Sequence, residues 1–219
     1  MLGFCFTYLF FTNFLLIIVM GKLITITGVS GTGKTTFTHK LGENTGIPVY
    51  LEQHAQRPFH NEAVSDPGSF MLQNQMDFLL YRAEQEREIR KSGNAGIVDG
   101  GLETDYYVFT HLFLQRGLLS EEGFNLCTRF FHLFRSLTPA PDLIVYLKAP
   151  LDVIGERFLR RQRQVEVSRL EDLAAQKVLI ETWLAAENNS RIITIDAEED
   201  DPEYTQSIDK LLPIISNLN

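Results

Sequence analysis

The chain has 219 residues, a formal net charge of −8 and a pI near 5.2. That length suits one domain with a sizeable core and at most a small lid, and the acidic balance argues against a nucleic-acid binder, which presents a basic face. Two cysteines, Cys5 and Cys127, cannot make a disulfide framework and point to a reducing, cytoplasmic compartment; the five histidines show no metal-ligand spacing, and no Ser/His/Asp constellation can be argued.

The first segment, 1–19, is apolar. Up to Met20 it carries no charge and five phenylalanines, long enough to span a bilayer, with Lys22 favouring a cytoplasmic C-terminal side. It lacks the basic region and small-residue cleavage site of a signal peptide. The first strand begins near Leu23, so almost no linker separates this leader from the core. The expectation is a start at Met20, with a membrane anchor as the alternative, followed by a single domain over 20–219.

Leu23-Ile24-Thr25-Ile26-Thr27 reads as a strand and Thr36 onward as a helix. Between them, residues 28–35 spell Gly-Val-Ser-Gly-Thr-Gly-Lys-Thr, a complete G-x-x-x-x-G-K-[ST] phosphate-binding loop in the strand–loop–helix setting the motif requires. Gly28, Gly31 and Gly33 let backbone N–H groups converge on phosphate oxygens. A nucleotide-binding site is expected over Gly28, Ser30, Gly31, Thr32, Gly33, Lys34, Thr35 and Thr36. Lys34 serves as a point charge on the β- and γ-phosphates, and the Thr35 hydroxyl as a Mg²⁺ ligand.

The remaining apolar runs alternate with helical ones as in βα units. A second strand is expected at 47–51 and a long helix over 69–90 after the Asp66-Pro67-Gly68 turn. A short strand over 95–99 ends on Asp99. Helices follow at 103–115 and 120–136, then a buried strand at 142–147. A helix from Leu151 runs into the arginine-rich stretch up to Arg163. Another helix at 168–187, a strand at 191–195, an acidic loop and a closing helix from about Pro202 complete the pattern. Five strands joined by helices give an α/β, doubly wound parallel sheet with helices on both faces, a P-loop NTPase fold. Ligands in such sheets sit at the carboxyl ends of strands, which makes Gly28, Glu52 and Asp99 neighbours.

From Gly21 to nearly the C-terminus the chain resembles the deoxyribonucleoside kinase family. The likeness rests on the phosphate loop, the Glu52 segment ending Arg57-Pro58-Phe59, Gln75 with Arg82, and Asp99 with Asp105 and Phe109. The Arg157-x-x-x-Arg161-x-Arg163-x-x-Glu166 lid and the 196–201 loop complete it.

The resemblance implies ATP- and Mg²⁺-dependent phosphorylation of the 5′-hydroxyl of a deoxyribonucleoside, a purine one, in nucleotide salvage. Glu52 would be the general base; Gln75 and Asp105 would read the base while Phe109 stacks on it, with a core phenylalanine as the bland alternative, and Arg82, two turns beyond Gln75 on the same face, would bind the substrate. Arg157, Arg161 and Arg163 would spread over the phosphates from a lid at about 157–168. Glu166 would hold the sugar 3′-hydroxyl, and Asp196 and Glu198 would belong to the loop around the donor's adenine. Thr35 and Asp99 would hold the metal.

One departure stands out. The family pattern after the third strand is a carboxylate, an arginine and a small hydroxyl residue, where this chain has Asp99-Gly100-Gly101. Arg57 is expected to restore the lost charge from the opposite wall. A thymidylate-type monophosphate kinase and a non-catalytic nucleotide sensor are the alternatives, and a homodimer packed through the apolar helices between Tyr106 and Phe134 is expected by resemblance.

Overall fold

The computed structural model describes residues 20–161, 167–199 and 203–218. Five parallel strands, β1 (Leu23–Thr27), β2 (Val49–Tyr50), β3 (Gly96–Asp99), β4 (Leu143–Lys148) and β5 (Arg191–Asp196), form one sheet in the order β2-β3-β1-β4-β5. β1 and β3 are buried throughout, as expected of strands with both faces covered. The expected fold class is the one observed.

One face of the sheet packs against α1 (Lys34–Thr45) and α9 (Thr205–Ser216). Ile24, Ile26, Val145 and Leu147 meet Phe37, Leu41, Ile208 and Leu211 there, all at most 1% exposed. The other face carries α3 (Pro67–Ser92) and α8 (Leu173–Ala186), and α6 (Glu121–Leu137) packs outside them against α3. α3 starts on the Asp66 side chain, which accepts from the Ser69 amide, and Pro67 fits the first turn because its missing N–H would be unpaired there anyway. α6 starts on Ser120 in the same way.

Arg90, near the end of α3, ties three segments together. It donates to the carbonyls of Gly21 (2.9 Å) and Ala140 (2.7 Å) and pairs with Asp142, whose carboxylate also accepts from the Leu23 amide at 2.9 Å. The entrances to β1 and β4 are thereby set level, and their register pairs Thr27 with Tyr146, while β1 and β3 pair Ile26 with Asp99. The phosphate loop and the end of β3 therefore emerge side by side.

Several boundaries differ from the sequence reading. β2 keeps two residues of the expected five, because Leu51 and Glu52 leave the ladder for a 3₁₀ turn at His54–Gln56. A short helix, α2 (His60–Ser65), precedes α3. The expected helix at 103–115 is α4 (Gly101–Thr104), a π-helical turn (Asp105–Thr110) and α5 (His111–Gln115) in succession. α7 (Leu151–Arg160) stops before the lid spacing ends, and α8 starts after a 3₁₀ turn at Leu170–Asp172 rather than at Ser168. The expected leader over 1–19 lies outside the described residues, and so does the expected start of the closing helix at Pro202. Among the described residues no helix is long and apolar enough to cross a membrane.

Candidate active site

Gly31 and Gly33 take φ of +101° and +94°, conformations that side chains resist. At Gly33 a Cβ would also stand 2.4 Å from the Tyr204 hydroxyl, so only glycine fits. The loop is closed on itself. Thr32 Oγ1 donates to the Val29 carbonyl at 2.9 Å and Lys34 Nζ to the Gly28 carbonyl at 2.9 Å. Gln176 of α8, 1% exposed, accepts from the Ser30 amide at 2.9 Å.

A cavity of about 460 Å³ opens from this loop across the carboxyl ends of β1 and β3, within the size range of small-ligand sites. Ser30, Gly31, Gly33, Lys34, Thr35 and Thr36 form its donor end. Glu52, Gln75, Arg82, Asp105 and Phe109 line its acceptor end, so the candidate acceptor residues described by the structure meet in one space. Arg157 and Arg161 border it from α7 and its C-terminal cap, together with Arg160, which lies outside the motif spacing.

Thr35 Oγ1 donates to Asp99 Oδ2 at 2.6 Å. The two are hard oxygen donors side by side, a pair that would suit Mg²⁺ together with oxygens from water and phosphate. Among the described residues no group of three His, Cys, Asp or Glu could form a cage of its own.

On α3, Gln75, Phe78 and Arg82 recur at the helix spacing and face the cavity together. Both amide hydrogens of Gln75 are used inside the protein, on the Asp105 carbonyl (2.8 Å) and Thr110 Oγ1 (2.9 Å), which leaves its oxygen as the acceptor. The π-helical turn supplies those partners: Thr110 also bonds the Asp105 carbonyl five residues back, and π turns are often found at functional sites.

Arg82 Nε donates to Asp105 Oδ2 at 2.8 Å, and both side chains are buried. Burial pushes the Asp105 carboxyl up to about 6 in spite of Arg82 beside it. For Arg82, burial works against the charge, but Asp105, then Glu52 and Asp99, outweigh it and raise its pKa.

Three of the expected site residues, Arg57, Asp196 and Glu198, do not border the cavity. Arg57 does not line the cavity. Its Nε and Nη2 bond Asp77 at 2.6 and 2.9 Å and its guanidinium lies 4.3 Å over the Tyr81 ring, so α3 holds it on the outer side. Asp196 turns back to accept from the Glu198 amide at 3.0 Å, and neither residue borders the cavity; the carbonyls of Ala197 and Glu198 accept from Arg157 instead, at 2.5 and 2.9 Å. Neighbouring side chains close against the glycine pair: a Cβ at Gly100 would stand 2.9 Å from Arg82 Nη2, and one at Gly101 2.9 Å from the Thr25 methyl. Arg163 and Glu166, expected in the lid, lie outside the described residues.

Sequence reasoning missed His60, Asn74 and Tyr204. His60 and Asn74 are 6% and 2% exposed, border the acceptor end, and carry His60 Nδ1 and Nε2 and Asn74 Oδ1 with no partner among the described residues. Phe78 had a signal, its spacing from Gln75 and Arg82. Tyr204 had none, because its position depends on how α9 returns to the loop.

A phosphate loop, two adjacent metal-type oxygens and a cavity that joins them to a buried polar acceptor end define a P-loop phosphotransferase. The chain is 24% identical over 186 residues to the deoxyadenosine/deoxycytidine kinase of Bacillus subtilis, covering 82% of this chain and 84% of that one. It is 26% identical over 209 residues to a probable thymidylate kinase of Methanosarcina barkeri, covering 90% and 98%. A solved structure of deoxyadenosine kinase from M. mycoides, described with the products dCMP and a flexible dCDP bound, superposes with a TM-score of 0.76 at 19% identity, over 89% of this chain and 99% of that one. The deoxynucleoside kinase family model matches residues 24–218, and the chain belongs to that family.

Proposed function

We propose that the protein transfers the γ-phosphoryl group of ATP to the 5′-hydroxyl of a purine deoxyribonucleoside. The observation that carries this is one cavity, about 460 Å³, lined by the phosphate loop, by Glu52 and by the Gln75–Arg82–Asp105 group. The similarity to a deoxyadenosine/deoxycytidine kinase supports the acceptor class.

Glu52 accepts the hydroxyl proton as the 5′-oxygen attacks γ-phosphorus; the bond from that phosphorus to the β–γ bridging oxygen breaks, and ADP leaves. Lys34 and the loop amides hold the donor phosphates. Thr35 and Asp99 fit Mg²⁺, which when bound neutralises phosphate charge. Arg157, Arg160 and Arg161 add cations from the far side and, on this reading, exclude water. Gln75 offers its oxygen to the base edge between Phe78 and Phe109. Leu126, Leu133 and Leu137 of α6, all exposed, support a paired assembly of two copies, and the free thiol of Cys127, buried, suits a cytoplasmic enzyme.

The similarity to a probable thymidylate kinase favours a second reading, a monophosphate acceptor. Steady-state assays with ATP, Mg²⁺ and a panel of deoxynucleosides and their monophosphates separate the two. Turnover of nucleosides is the expected result, turnover of monophosphates alone selects the second reading, and nucleotide binding without turnover on any acceptor leaves a sensor.

A further inference from the structure

Arg82 is 1% exposed and its guanidinium is held at two corners, by Asp105 on Nε (2.8 Å) and by Gln85 on Nη1 (3.2 Å). The third nitrogen, Nη2, has no protein acceptor among the described residues. It lies against Gly100, at the cavity end of β3, where a Cβ would stand 2.9 Å from it. Any side chain at position 100 would have to displace this nitrogen, and the φ of +94° there resists one as well. Gly100 directly follows Asp99, which holds Thr35, and Glu52 and Lys34 line the same cavity. A fixed cation whose Nη2 carries no protein acceptor among the described residues therefore stands beside the general base and the metal-type oxygens.

We infer that Arg82 is a catalytic residue: Nη2, admitted to the reacting centre by the glycine at 100, bonds the attacking 5′-oxygen and the transferring phosphoryl group, and does not read the acceptor's base. Two of its donors are already spent on the protein, so the guanidinium cannot swing to suit different base edges. The same fixation suits transition-state stabilisation, where a donor held in place needs no rearrangement as charge develops. Base reading falls instead to Gln75, whose oxygen is unspent. The field of Asp105, Glu52 and Asp99 keeps the arginine charged in spite of its burial. This inference rests on the nucleoside-kinase reading and moves Arg82 from binding to chemistry within it.

The test is steady-state kinetics of wild type, Arg82→Gln and Arg82→Lys on deoxyadenosine, deoxyguanosine, deoxycytidine and thymidine and their monophosphates, with ATP binding followed by calorimetry. Arg82→Gln is expected to lower kcat about 10²–10³-fold, by one factor on every acceptor the wild type uses. KM should change only a few-fold and ATP affinity should be kept. Arg82→Lys should recover little, because one ammonium cannot hold Asp105 and Gln85 while reaching Gly100. Adding Gly100→Arg to Arg82→Gln should recover part of kcat, since the cation returns to the same place. If Arg82→Gln does not bind ATP because Asp105 is left buried and unpaired, the Arg82→Gln/Asp105→Asn double variant, read against Asp105→Asn alone, must show the same loss of kcat. A loss that falls on KM and differs between bases makes Arg82 a base reader and overturns the inference, as does an unchanged kcat. A wild type that turns over no acceptor overturns the functional reading, and this inference with it.

Discussion

Glu86 and Glu103 are both buried and share one arginine. Arg135 of α6 bonds both oxygens of Glu86 on α3, at 2.7 and 2.5 Å, and pairs with Glu103 on α4 at 2.7 Å. Arg90 on the same helix also faces Glu86, and Glu187 and Tyr107 stand near Glu103. Burial first, and then Glu103, push the Glu86 carboxyl from 4.5 up to about 7; burial raises Glu103 too.

A carboxyl whose pKa is higher folded than unfolded binds its proton more tightly in the folded state. It favours folding at low pH, and that advantage is lost as the pH rises from 4.5 through 7. At 1.36 kcal/mol per unit, the full loss from Glu86 is about 3 kcal/mol, most of it between pH 5 and 8. Glu86→Gln keeps an oxygen for Arg135 and removes the charge, so it should become more stable relative to wild type as the pH rises. Urea unfolding of both proteins at pH 5, 6, 7 and 8 measures this. The midpoint difference between variant and wild type should move by roughly 1 M in the variant's favour across the range. Asp105 titrates in both proteins and cancels. Parallel curves for the two proteins would refute the reasoning, since they would mean Glu86 is charged or neutral throughout.

Glu52→Gln should reduce kcat by about 10²-fold or more with ATP affinity unchanged in calorimetry, because the amide cannot take the proton. Arg57→Ala should leave kcat within a few-fold and lower the unfolding temperature, because its partners are Asp77 and Tyr81; a collapse of kcat would return Arg57 to the reaction. The Asp105 carboxyl, pushed up to about 6 by burial, loses its charge as the pH falls through that value, and with it the ion pair that fixes Arg82. A pH profile should show kcat falling on the acid side near pH 6 in wild type, and in Asp105→Asn the same limb should be absent.

What the sequence determined by itself is what short-range chemistry encodes. Residues 28–35 make a phosphate loop wherever a strand precedes them and a helix follows, because glycines at 28, 31 and 33 and the lysine at 34 act on a ligand within a few residues of chain. Apolar runs at regular intervals likewise specified five parallel strands with helices between them, and helix spacing put Gln75 and Arg82 on one face of α3.

Tertiary structure alone decided which charges meet. From sequence, Arg57 was expected to stand opposite Gly100, and Arg82 only to bind the substrate from α3. Asp77 and Tyr81, each directly preceding a cavity-facing residue (Phe78 and Arg82) and so turned to the neighbouring side of α3, drew Arg57 outward, while Asp105 and Gln85 held Arg82 beneath the glycine. Each pairing joins residues 20 or more positions apart, apart from the Gln85 contact, and so depends on how α3 lies against the end of β3. The π-helical turn at Asp105–Thr110 and the seat of Tyr204 on Gly33 belong to the same class. Local propensity does not reach that far, and the energy of an ion pair depends on a geometry that exists only once the sheet and α3 have packed.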